Sequence, residues 1–250
     1  MRRRAHRPND RPGRSRTLIR NRYFHAWAPE TQPGGNVDRI QLTLGVGPDA
    51  QVEAVAAGDA DVAMDPAATG RLDELLVRYP AQLHLSQANT TAFIYLNNAS
   101  PPFNDVRVRR ALNLAIDRQR IIQILGGGAA LTPTCQQLPP NFPGYSPYCP
   151  YTSHPAPKGA GPWSGTDFVQ AHRLVERSGT SGMHVTFEHP DDWTPIAKYM
   201  VQLLRDLGYR ASERTISGDY ADAGTTFQMI GGDDWIADYP AASNFIATRF

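Results

Sequence analysis

The sequence has no run of 18 or more apolar residues, so no part of it reads as a membrane-spanning helix. Its opening, "MRRRAHRPNDRPGRSR", has the positive charge of an export signal's first segment. It lacks the apolar segment that must follow, so the chain as written carries no recognisable signal peptide. No G-x-S-x-G occurs, and "GPWSG" has the wrong spacing for a nucleophile elbow. None of the seven histidines falls in H-E-x-x-H. His184 and His189 flank a strand-like segment at odd spacing, which puts them on opposite faces. There are two cysteines, with no C-x-x-C and no neighbouring His, so a zinc site is not indicated. No internal repeat stands out. These absences argue against a membrane protein, a serine hydrolase and a zinc enzyme.

What is present begins with 250 residues, enough for one large domain or two ordinary ones, and 41% of them are hydrophobic. The formal charge of +1 conceals an asymmetry: residues 1–20 hold eight Arg against one Asp, leaving the rest at −6. A basic tail can bind nucleic acid, but the mildly acidic body offers no basic face to continue it. The expectation is a disordered, solvated tail over 1–15 and no nucleic-acid partner. Cys135 and Cys149 bracket the Pro-rich stretch "CQQLPPNFPGYSPYCPY". That arrangement reads as a disulfide staple and favours an oxidising compartment; two unpaired thiols are the alternative.

The periodicities alternate. Strands are expected at "RTLIRNRYF" (16–24), "RIQLTLGV" (39–46), "DVAMD" (61–65), "MHVTFEHP", "RASERTI" and within "TTFQMIGGDDWIADYP". The second of these shows Ile40, Leu42 and Leu44 against Gln41 and Thr43, a half-buried pattern. The run 82–98 reads as long and extended. Helices are expected at 48–58, started by Pro48 and stopped by Gly58, and at "RLDELLVRYP". "NDVRVRRALNLAIDRQRIIQIL" reads as one helix or as two, with Asp117 capping the second. Further helices are "TDFVQAHRLVERSG", with Thr166 as cap and Gly179 as stop, and "TPIAKYMVQLLRDLGY". The alternation predicts an α/β fold.

Gly45-Val46-Gly47-Pro48-Asp49-Ala50 matches G-x-G-x-x-A, the opening of a dinucleotide-binding unit, and Asp65 follows at the spacing of a ribose-binding acid. Three features oppose an NAD-dependent enzyme. Gln41 and Thr43 give the preceding strand a polar face, unlike a central parallel strand. Pro48 removes one of the helix-start donors a pyrophosphate would use. After Asp65 the chain supplies one short helix rather than further βαβ units.

Reading on, "VGPDAQVEAVAAGDADVA" resembles a "PDA…R…AL..GEVDVA" segment of the family-5 extracytoplasmic solute-binding proteins, the peptide- and nickel-type receptors of ABC importers. "RTLIRNRYFHAW" is similar to that family's "LVRNPNYW" strand. "FIYLNNASPPFNDVRVRRALNLAIDRQRIIQILGGGA" is close to its signature, "LPPNFPGY" matches the loop after it, and "DWIADYPAASNF" resembles "GW.ADYPDP.NF". Five pieces in the right order, spanning about 16–250, are specific where each alone is weak. Ala241-Ala242 departs from the family's frequent Asp-Pro.

The resemblance implies a type II, two-lobed periplasmic-binding-protein-like fold that is incomplete here. Residues 16–90 would be the last part of lobe I and 91–250 most of the second large lobe. It implies a binding protein without catalysis or cofactor, taking a peptide or other small solute outside the cytoplasm and working with ABC permease subunits, as a monomer. Asp238 aligns with the carboxylate that captures a peptide's α-amine; a surface turn acid is the alternative. Trp235 and Tyr239 would wall the pocket or pack in the core. Tyr95 and Asn97 lie on an implied hinge strand and would line the cleft. Asp233 and Asp234 read as solvated acids, and Arg107, Arg109 and Arg110 as structural. A ligand-sensing domain of the same fold in a regulator is the runner-up.

Overall fold

A computed structural model describes residues 13–25, 28, 36–65, 69–86, 88–128, 130–216 and 226–247. Most of the Arg-rich start, 1–12, lies outside the described residues, and with it most of the expected disordered tail. Packing divides the chain into two units, Met1–Ala68 and Thr69–Phe250.

In the first unit, β1 (Ser15–Ile19) and β2 (Arg39–Thr43) form an antiparallel pair, with Leu18 opposite Ile40 and Arg16 opposite Leu42. Helix α1 (Pro48–Ala57) follows, with Pro48 at its first position and Gly58 closing it at φ 80°. That left-handed conformation is one glycine adopts without a Cβ clash. None of the described residues 13–65 is fully buried. Ile40 is 45% exposed, while Leu42 and Leu44 are half-buried. Two strand expectations change here. The first strand ends at Ile19 rather than near Phe24. "DVAMD" is not a strand: its backbone is held by a side chain, Gln51 Oε1 accepting from the N–H groups of Met64 and Asp65. A strand needs a neighbour's backbone to complete its ladder, and here an amide side chain takes that place.

The second unit holds the core. After α2 (Leu72–Arg78), β3 (Thr90–Leu96) enters a four-stranded sheet of order β3-β6-β4-β5, with β4 (His184–His189), β5 (Arg210–Thr215) and β6 (Met229–Ile236). Strands β4, β5 and β6 run parallel, and β3 pairs antiparallel with β6 as an edge strand. The extended run 82–98 thus yields a strand only over its last part.

Helix α6 (Thr194–Asp206) crosses from β4 to β5 and presents Ile196, Ala197, Met200, Val201, Leu203 and Leu204, one apolar stripe at helical spacing, to the sheet. Helices α3 (Val106–Ala115) and α5 (Phe168–Ser178) pack on each other through Val108, Ala111, Leu112, Ala171 and Val175. Asp105 caps α3 by accepting from Arg107 N–H, and Asp117 caps α4 (Arg118–Ile124) by accepting from Arg120 N–H. The cap of α5 is Asp167, which accepts from Gln170 N–H at 2.9 Å, not Thr166. Asp and Thr both serve at that position, and here it is the Asp167 carboxylate that reaches a free N–H of the first turn.

Candidate functional site

The site is built on the carboxyl end of β6. One residue is extra in β6: Phe93 faces Asp233 and Tyr95 faces Ile230. The bulge passes through Gly232 at φ 99°, a conformation that side-chain-bearing residues rarely adopt. Alternation alone would put Ile230 and Asp233, three apart, on opposite faces. The bulge puts them on one face, alongside Phe93, Tyr95 and Trp235. There Tyr95 Oη donates to Asp233 Oδ2 at 3.0 Å, and the Phe93 and Tyr95 rings meet edge-to-face at 5.0 Å. On the other face Thr90 Oγ1 donates to Asp234 Oδ2 at 3.0 Å. The two acids read as solvated therefore both lock β3 to β6.

Beyond β6 the chain turns through Asp238 and Tyr239 into α7 (Ser243–Ile246). Asp238 and Tyr239 are exposed and Trp235 is half-buried. Asn244, fully buried, ties them together: its Oδ1 accepts from Trp235 Nε1 at 2.7 Å and from Asp238 N–H at 3.2 Å, and its Nδ2 donates to Asp238 Oδ2 at 3.4 Å. Tyr239 Oη lies 3.3 Å from Ser243 Oγ. Phe245, also fully buried, meets Phe142 edge-to-face at 5.2 Å. Phe142 sits between Cys135 and Cys149, which are bonded to each other as expected. The stapled loop is thus the seat of the helix that holds the site. Sequence reasoning missed Asn244; its only signal was its place in "SNF" after the "ADYP" turn.

Of the expected site residues, Trp235, Asp238 and Tyr239 come together. Tyr95 joins them along one sheet face through Asp233. Asn97 does not: its Nδ2 donates to Phe227 C=O at 2.9 Å and its backbone N–H to Gln228 C=O, at the other end of the sheet. Six residues of strand, about 20 Å, separate its level from that of Trp235. A cavity of about 360 Å³ lies beside the outer edge of β3, lined by Phe93, Tyr95, Arg109, Arg110, Asn113, Gln137 and Tyr151 among others. Trp235, Asp238 and Tyr239 do not line it. Arg107 is bound to Asp105 and to the carbonyl of Arg177, and Arg109 to the carbonyl of Phe103 at 2.7 Å. Both guanidiniums therefore tie helix ends and turns together.

The G-x-G-x-x-A segment has a different environment from a nucleotide site. The strand before it pairs antiparallel in a two-stranded sheet. Gln51 Nε2 donates both to Val46 C=O and to Asp65 Oδ2, at 2.8 and 2.6 Å. The acid that would hold a ribose is engaged by the helix itself. No group of three or more His, Cys, Asp or Glu among the described residues is placed to hold a metal ion.

Residues 9–250 match the family model "Bacterial extracellular solute-binding proteins, family 5 Middle", and the chain belongs to that family. It is 35% identical over 117 residues to a probable di/tripeptide-binding protein 5 of Pseudomonas aeruginosa, covering 45% of this chain and 22% of that protein. It is 37% identical over 90 residues to the probable deoxycholate-binding periplasmic protein YgiS of Escherichia coli, covering 36% of this chain and 16% of that one. Among solved structures it superposes on the clavulanic acid biosynthesis oligopeptide binding protein 2 with a TM-score of 0.74 at 20% identity, over 96% of this chain and 45% of that one. The fold is therefore that of the type II binding proteins, and the chain spans less than half the length of the proteins it matches. The relatives named are all binding proteins rather than enzymes.

Proposed function

We propose that the protein is the solute-capturing component of an ABC importer, holding a peptide or similar small solute by its ammonium end. Asp238 is the capturing carboxylate, Trp235 and Tyr239 form the aromatic wall, and Tyr95 lines the continuing sheet face. Asn97 belongs to this reading only as a turn residue that anchors β3. The observation that carries the proposal is the exposed carboxylate of Asp238, tied beside a half-buried indole at the carboxyl end of a parallel strand. Open α/β sheets bind ligands at that end. A carboxylate and an ammonium make a charge-assisted bond that strengthens as water is excluded. The disulfide and the family's description support an extracytoplasmic location. The partners are the ligand and membrane permease subunits; the protein acts as a monomer, without nucleic acid or cofactor.

The test is a thermal-shift and native mass spectrometry screen against di- to tetrapeptides, their N-acetylated forms and deoxycholate. Stabilisation by free peptides and not by their acetylated forms is expected. Stabilisation by deoxycholate alone would overturn the peptide reading.

A further inference from the structure

Asn244 has no solvent exposure, yet it sits in a four-residue surface helix beside an exposed turn. A buried side-chain amide is costly unless its donors and acceptors are met. Here they are met by two groups of the proposed solute site. One oxygen accepts from both the Trp235 indole and the Asp238 backbone, and the nitrogen of the same amide reaches the Asp238 carboxylate. The Trp235 N–H is consumed, so this side chain can offer a ligand only its ring surface. Among the described residues Asp238 Oδ1 has no partner and is left for a ligand donor.

The geometry points to Asn244 as a positioning residue that holds the Trp235 ring and the Asp238 carboxylate one amide group apart, so that the site selects solutes whose cationic end meets a carboxylate and an aromatic surface together. This rests on the solute-capture reading of Asp238. An ammonium beside an indole gains from the ring as well as from the carboxylate. Asparagine suits the position chemically. Aspartate keeps the acceptor for the indole but sets a second carboxylate against Asp238, and alanine keeps neither group.

The test uses the whole chain, with the Trp235 indole resonance assigned through Trp235→Phe. In Asn244→Ala, hydrogen exchange at the Trp235 indole should speed up by about tenfold, the loss of one good hydrogen bond. In Asn244→Asp, which keeps the acceptor, it should stay within about twofold of wild type. Tri-alanine binding should weaken about tenfold in Asn244→Ala and clearly less when the same change is made in an Asp238→Asn background, where only the ring is left to position. Unchanged indole exchange in Asn244→Ala would overturn the proposal. So would equal losses of affinity in both backgrounds, which would mark a general packing role. If Asn244→Ala does not fold, Asn244→Asp decides: a tenfold rise in exchange there refutes the acceptor role. Failure of wild type to bind any peptide would instead remove the solute-capture reading, while the exchange measurement still reads the Asn244 contact.

Discussion

Replacing Gly231 by alanine should weaken the fold by tilting β6, the strand that carries the proposed site. An added Cβ would lie 2.5 Å from Phe187 Cζ, 3.1 Å from Phe187 Cε2 and 3.1 Å from Trp193 Cε3. Carbon atoms pack best at about 3.5–4.0 Å, so something must move by about 1 Å. Phe187 cannot swing into solvent: it is fully buried and stacks on His189 with ring centroids 6.0 Å apart. Overpacking of this kind costs about 1–3 kcal/mol. Against that, alanine restricts the unfolded chain and returns about 0.4–1 kcal/mol. The net expectation is a loss of about 1–2 kcal/mol, read as a lower urea midpoint with an unchanged slope. Gly70 has nothing within 4 Å of its added Cβ and provides the control, with Gly70→Ala expected to be neutral or slightly stabilising. Combining Gly231→Ala with Phe187→Leu should cost less than the sum of the two, because the shorter side chain vacates the clash. Gly231→Ala within about 0.5 kcal/mol of wild type, and additive with Phe187→Leu, would refute the packing argument.

The stapled loop closes 14 residues of separation, so Cys135→Ser with Cys149→Ser should cost about 3 kcal/mol and loosen Phe142 beneath Phe245, seen as a lower denaturation midpoint and a shifted Trp235 emission. Limited proteolysis should cut first before about residue 88, because the described residues 13–65 include none that is fully buried; uniform resistance from residue 16 onward would contradict this. The Arg107 guanidinium beside Asp105 holds its carboxyl below the usual range. A lowered folded value makes the ionised form stabilising, so the contribution is present above about pH 4 and lost as pH falls through the folded value. The stability difference between wild type and Asp105→Asn should therefore be constant above about pH 5 and shrink below about pH 4, measured by urea denaturation across pH.

Helix α6 was legible because its apolar stripe repeats at helical spacing over thirteen residues. The Pro and Gly boundaries of α1 were legible because those residues act through their own backbone. "DVAMD" was misread because a strand depends on a neighbour that local pattern cannot supply. Tyr95 and Asn97 looked alike in sequence as residues of one extended run. The register with β6 separates them: one meets Asp233, and the other closes the far end of the sheet. Asp233 and Asp234 read as solvated because their partners, Tyr95 and Thr90, lie about 140 positions earlier and are reached only through the β3–β6 pairing. Asn244 was invisible as a site residue because a polar residue after a proline turn reads as exposed. Its burial comes from Phe245 anchoring on a loop about a hundred positions earlier.

The central claim is that Asp238 meets the charged end of a solute. Its most direct test is calorimetric titration of wild type and Asp238→Asn with a binding tripeptide and its N-acetylated form. Removing one partner of a buried charge pair typically costs about 2–5 kcal/mol, whereas a surface acid contributes about 0–1 kcal/mol. The account predicts that the substitution weakens binding of the free tripeptide by roughly thirtyfold or more. Acetylation should cost wild type a similar amount and the variant little. Equal affinities in all four combinations would place Asp238 outside the site and contradict the account.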